Sequence, residues 1–166
     1  SDLSGISQNL DEVYCMSQNI YFEARHESMI GKIAVAHVVM NRIEDKGFPN
    51  TVCKVVKQGP IKESWKTRKD PTLPKEERIY WPRRDRCQFS WYCDGKHDIP
   101  SMGKMWGESR EVAIYVLENA KLLDITDGAT HYHADYIDSP RWASLRDKTM
   151  QIDTHIFYNK NKKRHL

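Results

Sequence analysis

Apolar residues recur along the chain in blocks that differ in period, and those blocks predict its elements. From Leu10 to Ala24, Leu10, Val13, Tyr14, Ser17, Ile20, Tyr21 and Ala24 fall on one helical stripe, while Phe22 lies opposite, which predicts a helix packed on more than one face. From Gly31 to Ile43 almost no polar face remains: Ile33, Ala34, Val35, Ala36, Val38, Val39, Met40 and Ile43 surround the helix, so it belongs in the middle of a core. Phe48-Pro49-Asn50-Thr51 is a turn leading into a short helix with Val52, Val55 and Val56. Apolar periodicity then disappears between Gly59 and Arg86, a stretch with four prolines and many charges, which predicts a long surface excursion. A helix returns over Gly107–Asp124, with Val112, Tyr115, Val116, Ala120 and Leu123 on its stripe. Two strands follow, Ala129–Ala134 and Met150–Tyr158, the latter alternating Ile152, Thr154, Ile156 and Tyr158. The pattern predicts one α+β, predominantly α domain over residues 1–166 with a small late β element.

Composition changes this picture little. With 166 residues, 39% hydrophobic and 30% charged, the chain has enough apolar sequence for one core and is not of disordered type. It has no apolar run long enough to cross a bilayer, and no basic region followed by an apolar core opens it, so any secretory signal is expected to be absent or removed. The net charge of +3 is unevenly spread. Lys62–Arg86 holds nine basic and five acidic residues, and Lys160–Leu166 adds four basic and no acidic ones. The two segments are either solvated or form a cationic footprint for a polyanion. Cys15 and Cys53 fall at apolar helical positions and read as small core residues. Cys87 and Cys93 sit in a loop of turn formers and have the spacing to close a small disulfide outside a reducing compartment.

Candidate chemistry gathers where the first helix ends. Glu23 and Glu27, four residues apart, share a face on a continuous helix, beside Tyr21, Phe22 and Ala24. Desolvation there raises a carboxyl pKa and makes a proton donor near neutral pH, as glycosidic cleavage requires. The alternative is two solvated glutamates paired with Arg25, Lys32 or Arg42.

The segments Asn19–Ser28 and Gly31–Arg42, with Phe48–Val56, Cys87–Trp91, Asp94-Gly95, Gly128–Ala134 and His155–Tyr158, resemble in order the signature of the SleB-type cell-wall hydrolase family, the spore-cortex-lytic and related bacterial and phage peptidoglycan enzymes. The resemblance implies a lysozyme-like, mainly helical fold. It also implies cleavage between N-acetylmuramic acid and N-acetylglucosamine, with Glu23 as the catalytic acid. The chain departs from the family at His26, where glycine is usual, and in the length of its Gly59–Arg86 excursion.

Asp94, Asp135 and Asp138 are the carboxylates near matching loops, but none holds an obvious nucleophile position. A single acid suffices if the muramic acid supplies its own C6 hydroxyl, as in a lytic transglycosylase; attack by water instead makes a muramidase. Glu27 is expected to tune Glu23 or order the loop. Ser90, Tyr132, His133 and Trp142 are candidate sugar contacts, Asn41 is a cleft contact or a satisfied core group, and His37 reads as a core histidine. A rival reading sets His131, His133 and Asp135 on one strand face as zinc ligands of an amidase or peptidase. A cationic nucleic-acid module is the non-enzymatic alternative, and no nucleic-acid motif supports it. The expected partner is therefore peptidoglycan, approached by a monomer through its basic segments, without nucleic acid, metal or cofactor. The expected setting is the periplasm or cell exterior, reached by a phage endolysin through a membrane hole or by a processed secreted enzyme.

Overall fold

The structure, a computed structural model, describes residues 3–101, 103–119 and 123–160, with side chains from residue 9 onward. Among the described residues five α-helices occur in chain order: α1 (Leu3–Ala24), α2 (Met29–Glu44), α3 (Val52–Val56), α4 (Trp65–Arg68) and α5 (Lys104–Asn119). The strands are β1 (Ile61–Glu63), β2 (Tyr80–Pro82), β3 (His131–Ala134), β4 (Arg146–Ile152) and β5 (His155–Lys160). The fold is α+β and mostly α, as the apolar pattern predicts.

α2 begins sharply because Ser28 accepts a hydrogen bond from the Gly31 amide at 3.1 Å, satisfying one of the helix's free N–H groups. It then runs buried on nearly every side, with Ala34, Val35, Ala36, Val38 and Val39 fully covered. α1, α3 and α5 pack around it: Met16, Ile20, Val55, Val56, Val112, Ala113 and Val116 form one core with Ala36 and Val39. The other face of α2 meets the sheet, where Ala34 and Val38 touch Ala129 and Phe157. Each such side chain contributes about 1.5–3 kcal/mol when fully buried, so α2 is the element that joins the helical layer to the sheet.

The stripe predicted for α1 is corrected in its first half. Leu10 and Tyr14 are exposed, and the buried set is instead Cys15 to Tyr21 with Ala24, almost continuous. The amino-terminal turns run along the surface; the last two turns enter the core and leave no polar side. Likewise Tyr115 and Leu123 are exposed although Val112 and Val116 are buried. The predicted continuation of α5 through residues 120–122 lies outside the described residues.

The late β element is one antiparallel sheet in the order β3-β5-β4. The single strand expected over Met150–Tyr158 is in fact a hairpin. Asp153 takes φ 52°, a left-handed conformation that aspartate tolerates, and the chain reverses there. The turn packs tightly on α2: a Cβ added at Gly31 would stand 2.5 Å from Asp153 Oδ2 and 2.9 Å from the Glu27 Cβ. Only glycine fits that contact.

Two disulfides form, Cys15–Cys53 and Cys87–Cys93. The first corrects the reading of Cys15 and Cys53 as unpaired core residues. Packing of α1 on α3 brings their Cα atoms to 5.2 Å, within bonding reach. Helical spacing places each cysteine on an inner face but says nothing of which inner faces meet.

The Gly59–Arg86 excursion is also structured, contrary to the aperiodic pattern. β1 and β2 pair antiparallel, with Lys62 opposite Trp81, and α4 lies between them in sequence. Arg78 pins this unit from inside: Nη1 donates to Glu63 Oε2 at 2.8 Å and to the Thr67 carbonyl at 3.2 Å, while Nη2 donates to the Asp70 carbonyl at 3.1 Å.

Candidate active site

α1 stops at Ala24, so Glu23 is in its last turn and Glu27 is beyond it, where the Glu27 amide donates to the Ala24 carbonyl at 2.9 Å. The two carboxyls therefore do not share a continuous helix face. The sheet gives them different partners.

Glu23 points to the middle of β3, and the Tyr132 hydroxyl donates a short hydrogen bond to its Oε1. Burial raises the Glu23 pKa above the ordinary carboxylate value, and the Tyr132 hydrogen bond and the positive charge of Arg42 pull it partly back. The residue is nonetheless only partly covered from solvent, so a ligand can reach it. A carboxyl that holds its proton in an accessible position is a proton donor. Tyr132 itself stays protonated, its pKa pushed well up by burial and by the Glu23 carboxylate.

Arg42, named from the sequence only as a possible ion-pair partner of the glutamates, has a wider part here. Its Nε donates to the Thr130 carbonyl at 2.7 Å, and its guanidinium lies 4.9 Å from the Phe48 ring centre and 5.0 Å from that of Phe89. Burial lowers its pKa to about 10, so it remains a cation at neutral pH. Burial, helped by the charges of Arg42 and Arg146, depresses His131 to about 3, which keeps that imidazole neutral. One signal was available for Arg42: it is the single charged residue inside the most apolar part of α2 after Lys32.

The segment from Phe89 to Cys93 packs against the neighbours of Glu23 from the core. Trp91 stacks on Phe22 with ring centres 5.0 Å apart, and its Nε1 donates to Asn19 Oδ1 at 2.8 Å. Phe89 faces Tyr132 at 6.5 Å. Ser90, between them, is exposed.

Glu27 belongs to a second polar cluster. Thr154 donates a short hydrogen bond to Glu27 Oε1, and His155 Nδ1 lies 3.4 Å from the same oxygen. Burial holds the His155 pKa down despite Glu27, so the imidazole is neutral and the contact is not a full ion pair. Lys32 Nζ donates to the Glu27 carbonyl at 2.6 Å, and Asp153 Oδ2 accepts from both the amide and the hydroxyl of Ser28. These bonds tie the α1–α2 turn to the β4–β5 turn. His155 also touches the Tyr132 ring at 4.8 Å, which links the two clusters.

The remaining candidates are placed less directly. His133 is buried in the sheet, with Nε2 bonded to the Tyr158 hydroxyl and Nδ1 to the Ala134 carbonyl, both at 2.9 Å. Trp142 packs against His131, His133 and Tyr158 and lies beside the Arg146 guanidinium. Asn41 turns away from Glu23 and donates to Asp124 Oδ2 and the Ala129 carbonyl at 2.9 Å, stitching the loop before β3. His37 accepts from the Ile125 amide at 3.3 Å, and burial lowers its pKa, in keeping with a core histidine. Asp135 accepts from Gln151 and Asp94 from the Lys96 amide. Asp138 is exposed. Among the described residues no three histidine, cysteine or acidic side chains are placed to hold a metal ion together, and both nitrogens of His133 are already engaged. A hollow of about 580 Å³ opens elsewhere, between Glu12, Met40, Thr51 and Leu117, and Glu23 does not line it.

Comparison with known proteins follows the same span. The family model described as Cell Wall Hydrolase matches residues 26–158, starting just after Glu23. A spore cortex-lytic enzyme of Oceanobacillus iheyensis is 42% identical over 154 residues, 92% of this chain and 42% of that protein. One from Bacillus cereus is 42% identical over 53 residues, 32% of this chain and 20% of that protein. The chain thus spans only a fifth to two-fifths of the length of these relatives. Among solved structures, the catalytic domain of the Bacillus cereus SleB protein superposes with a TM-score of 0.60 at 21% identity, covering 90% of this chain and 91% of that one. A second, from Bacillus anthracis, gives 0.57 at 20% identity, covering 89% and 93%. At those identities the likeness speaks for the fold.

Proposed function

This chain belongs to the cell wall hydrolase family, and we propose that it cleaves peptidoglycan glycan strands between N-acetylmuramic acid and N-acetylglucosamine, with Glu23 as the acid. The observation that carries the reading is the Glu23–Tyr132 pair: a carboxyl with a raised pKa, held by one neutral hydroxyl, with Arg42 as the charged group acting on it. Protonated Glu23 donates to the glycosidic O4 as the C1–O4 bond breaks, so N-acetylglucosamine leaves with a free hydroxyl. The carboxylate so formed then takes the proton of the muramic acid C6 hydroxyl, whose oxygen closes on C1. Glu23 ends protonated, no water is consumed, and the product is a 1,6-anhydro sugar.

This lytic transglycosylase course needs one carboxyl, which suits a site where the hydrogen-bond partner of Glu23 is a tyrosine and not a second acid. The Bacillus anthracis structural neighbour is described as a germination-specific lytic transglycosylase, which supports the same course. Water attacking C1 in place of the C6 hydroxyl makes the protein a muramidase with the same acid. Mass spectrometry of fragments released from purified peptidoglycan separates the two: anhydro-muropeptides are expected, and reducing-end muramic acid would establish the hydrolase instead. Freed stem peptides with intact glycan would overturn both. The substrate lies outside the cytoplasm, and the two disulfides suit an oxidising setting there.

A further inference from the structure

The β1–β2 unit carries a surface that the cleavage chemistry does not use. Trp81 and Ile79 lie on one side of the β2 segment, Lys62 is the cross-strand neighbour of Trp81, and Trp65 opens α4 beside them. Together with Ser64, Lys66 and Arg68 they line a hollow of about 440 Å³. Trp65 is 60% exposed and Trp81 58% exposed, although tryptophan is ordinarily a mostly buried residue. Lys69 Nζ stands 4.9 Å from the Trp65 ring centre and steadies it. Among the described residues Lys62, Lys66 and Arg68 form no ion pair within 4 Å, although the charge of Arg68 acts on Glu63 from farther off; Glu63, the acidic residue of the lining, is paired with Arg78 at 2.8 Å. The hollow is therefore aromatic, cationic and open.

We propose that this hollow is a second glycan-binding site, which takes a peptidoglycan strand at a distance from the point of cleavage. Pyranose rings present weakly positive C–H faces that stack on the negative faces of indole rings. The stem-peptide carboxylates of the same polymer complement Lys62, Lys66 and Arg68. The concave shape matches a chain of rings and not the flat face of a bilayer.

The foot of the unit is fixed to the segment that carries Phe89 and Trp91. The Arg83 amide donates to the Pro60 carbonyl at 2.8 Å, the Gln88 amide to the Gln58 carbonyl at 3.0 Å, and the Asp85 amide to the Cys93 carbonyl at 2.8 Å. The Cys87–Cys93 disulfide closes the same foot, and Phe89 and Trp91 leave it toward Tyr132 and Phe22. A strand held in the hollow is thereby tethered to the segment whose Phe89 and Trp91 pack near Glu23, which raises its effective concentration at the site.

The proposal rests on the glycan-cleaving reading, and its test is chosen to fail separately. Trp65→Ala/Trp81→Ala should raise KM on long glycan strands about tenfold with kcat little changed, and leave cleavage of short soluble glycans unaffected. Trp65→Tyr/Trp81→Tyr should restore most of the KM, since an aromatic face returns. Circular dichroism and Tm should match wild type for both, because the rings are exposed. Pelleting of Glu23→Gln with sacculi stripped of phosphate polymers should be lost when the two alanines are added. An unchanged KM and unchanged pelleting in an enzyme that still releases muropeptides would overturn this site alone. Total absence of glycan cleavage by wild type would instead overturn the proposed function. Binding that vanishes with the phosphate polymers, or that transfers to anionic phospholipid vesicles and is lost there with the alanines, would assign the hollow to another ligand and overturn the proposal.

Discussion

Glu23 and Glu27 are four residues apart, identical in type, and treated by the fold in opposite ways. Glu23 meets one phenol and feels the charge of one cation, and is only partly covered from solvent. Glu27 lies beyond the helix end, in a lattice of side-chain and backbone bonds to Thr154, Lys32 and the turn that follows β4. The difference teaches that a spacing rule identifies two candidate acids but not which one is left free to work. A buried group with few partners, whose desolvation outweighs one hydroxyl and one cation, keeps its proton longer. A group whose oxygen and carbonyl both hold other elements in place is committed to structure.

That comparison is broken most directly at Glu23. Glu23→Gln should lower kcat on peptidoglycan by about 10³-fold, since the amide keeps the shape and has no proton to give. Near-normal turnover, measured as muropeptide release, would remove Glu23 from the chemistry. The same variant carries a stability signature. Folded Glu23 holds its proton more tightly than the unfolded chain does, so wild type loses stability as pH rises from the ordinary carboxyl range through the raised value. The Tm of Glu23→Gln relative to wild type should therefore climb over that window. A flat difference would mean that the Glu23 pKa is not raised.

Tyr132→Phe sharpens the comparison next. The hydroxyl favours the Glu23 carboxylate, so its loss should raise the Glu23 pKa further and move the alkaline limb of the pH–kcat profile upward. A kcat loss of about tenfold is expected with it, from the carboxyl left unpositioned. A limb that moves to lower pH would contradict the assignment.

Glu27→Ala should show the opposite balance. Removing the acceptor of Thr154 and the neighbour of His155 should cost about 2 kcal/mol and lower Tm by roughly 4–8 °C, with a smaller loss of kcat than Glu23→Gln. Thermal melts and turnover on one preparation check this together. A kcat loss as large as that of Glu23→Gln, with Tm unchanged, would give Glu27 a direct chemical role.

The smallest effect is expected at the basic tail. Residues 161–166 lie outside the described structure, but their charge predicts that deleting them weakens sacculus binding at low salt by a few-fold and leaves cleavage of soluble glycan alone. A binding curve that is the same at low salt would leave the tail as solvated charge.

Much of the frame was legible in the chain. The all-round apolar run of α2 marks it as central, the turn at Phe48–Thr51 leads into α3, and the block order points to the fold that superposition with the SleB domain supports. The site was legible only in part. Glu23 stands out because it ends an apolar helix beside aromatics, and Tyr132 because it lies in a matching block. The roles of Arg42, Thr154 and His155 were not legible, although Arg42 and His155 lie in matching blocks, because those roles depend on contacts across 88, 127 and 128 positions of sequence: Arg42 with Thr130, Thr154 with Glu27, and His155 with Glu27.

By itself, then, the sequence determined what is local: which segments have an inside, that α2 is apolar all round, and which carboxyl follows an apolar stripe. Those depend on period, which neighbouring residues supply. Only the tertiary structure decided that Cys15 meets Cys53, that the last strand is a hairpin folded at Asp153, and that Tyr132 reaches Glu23 while Thr154 reaches Glu27. Pairings of this kind are set when α2 buries one face on helices and the other on the sheet. No period along the chain records which two faces will meet.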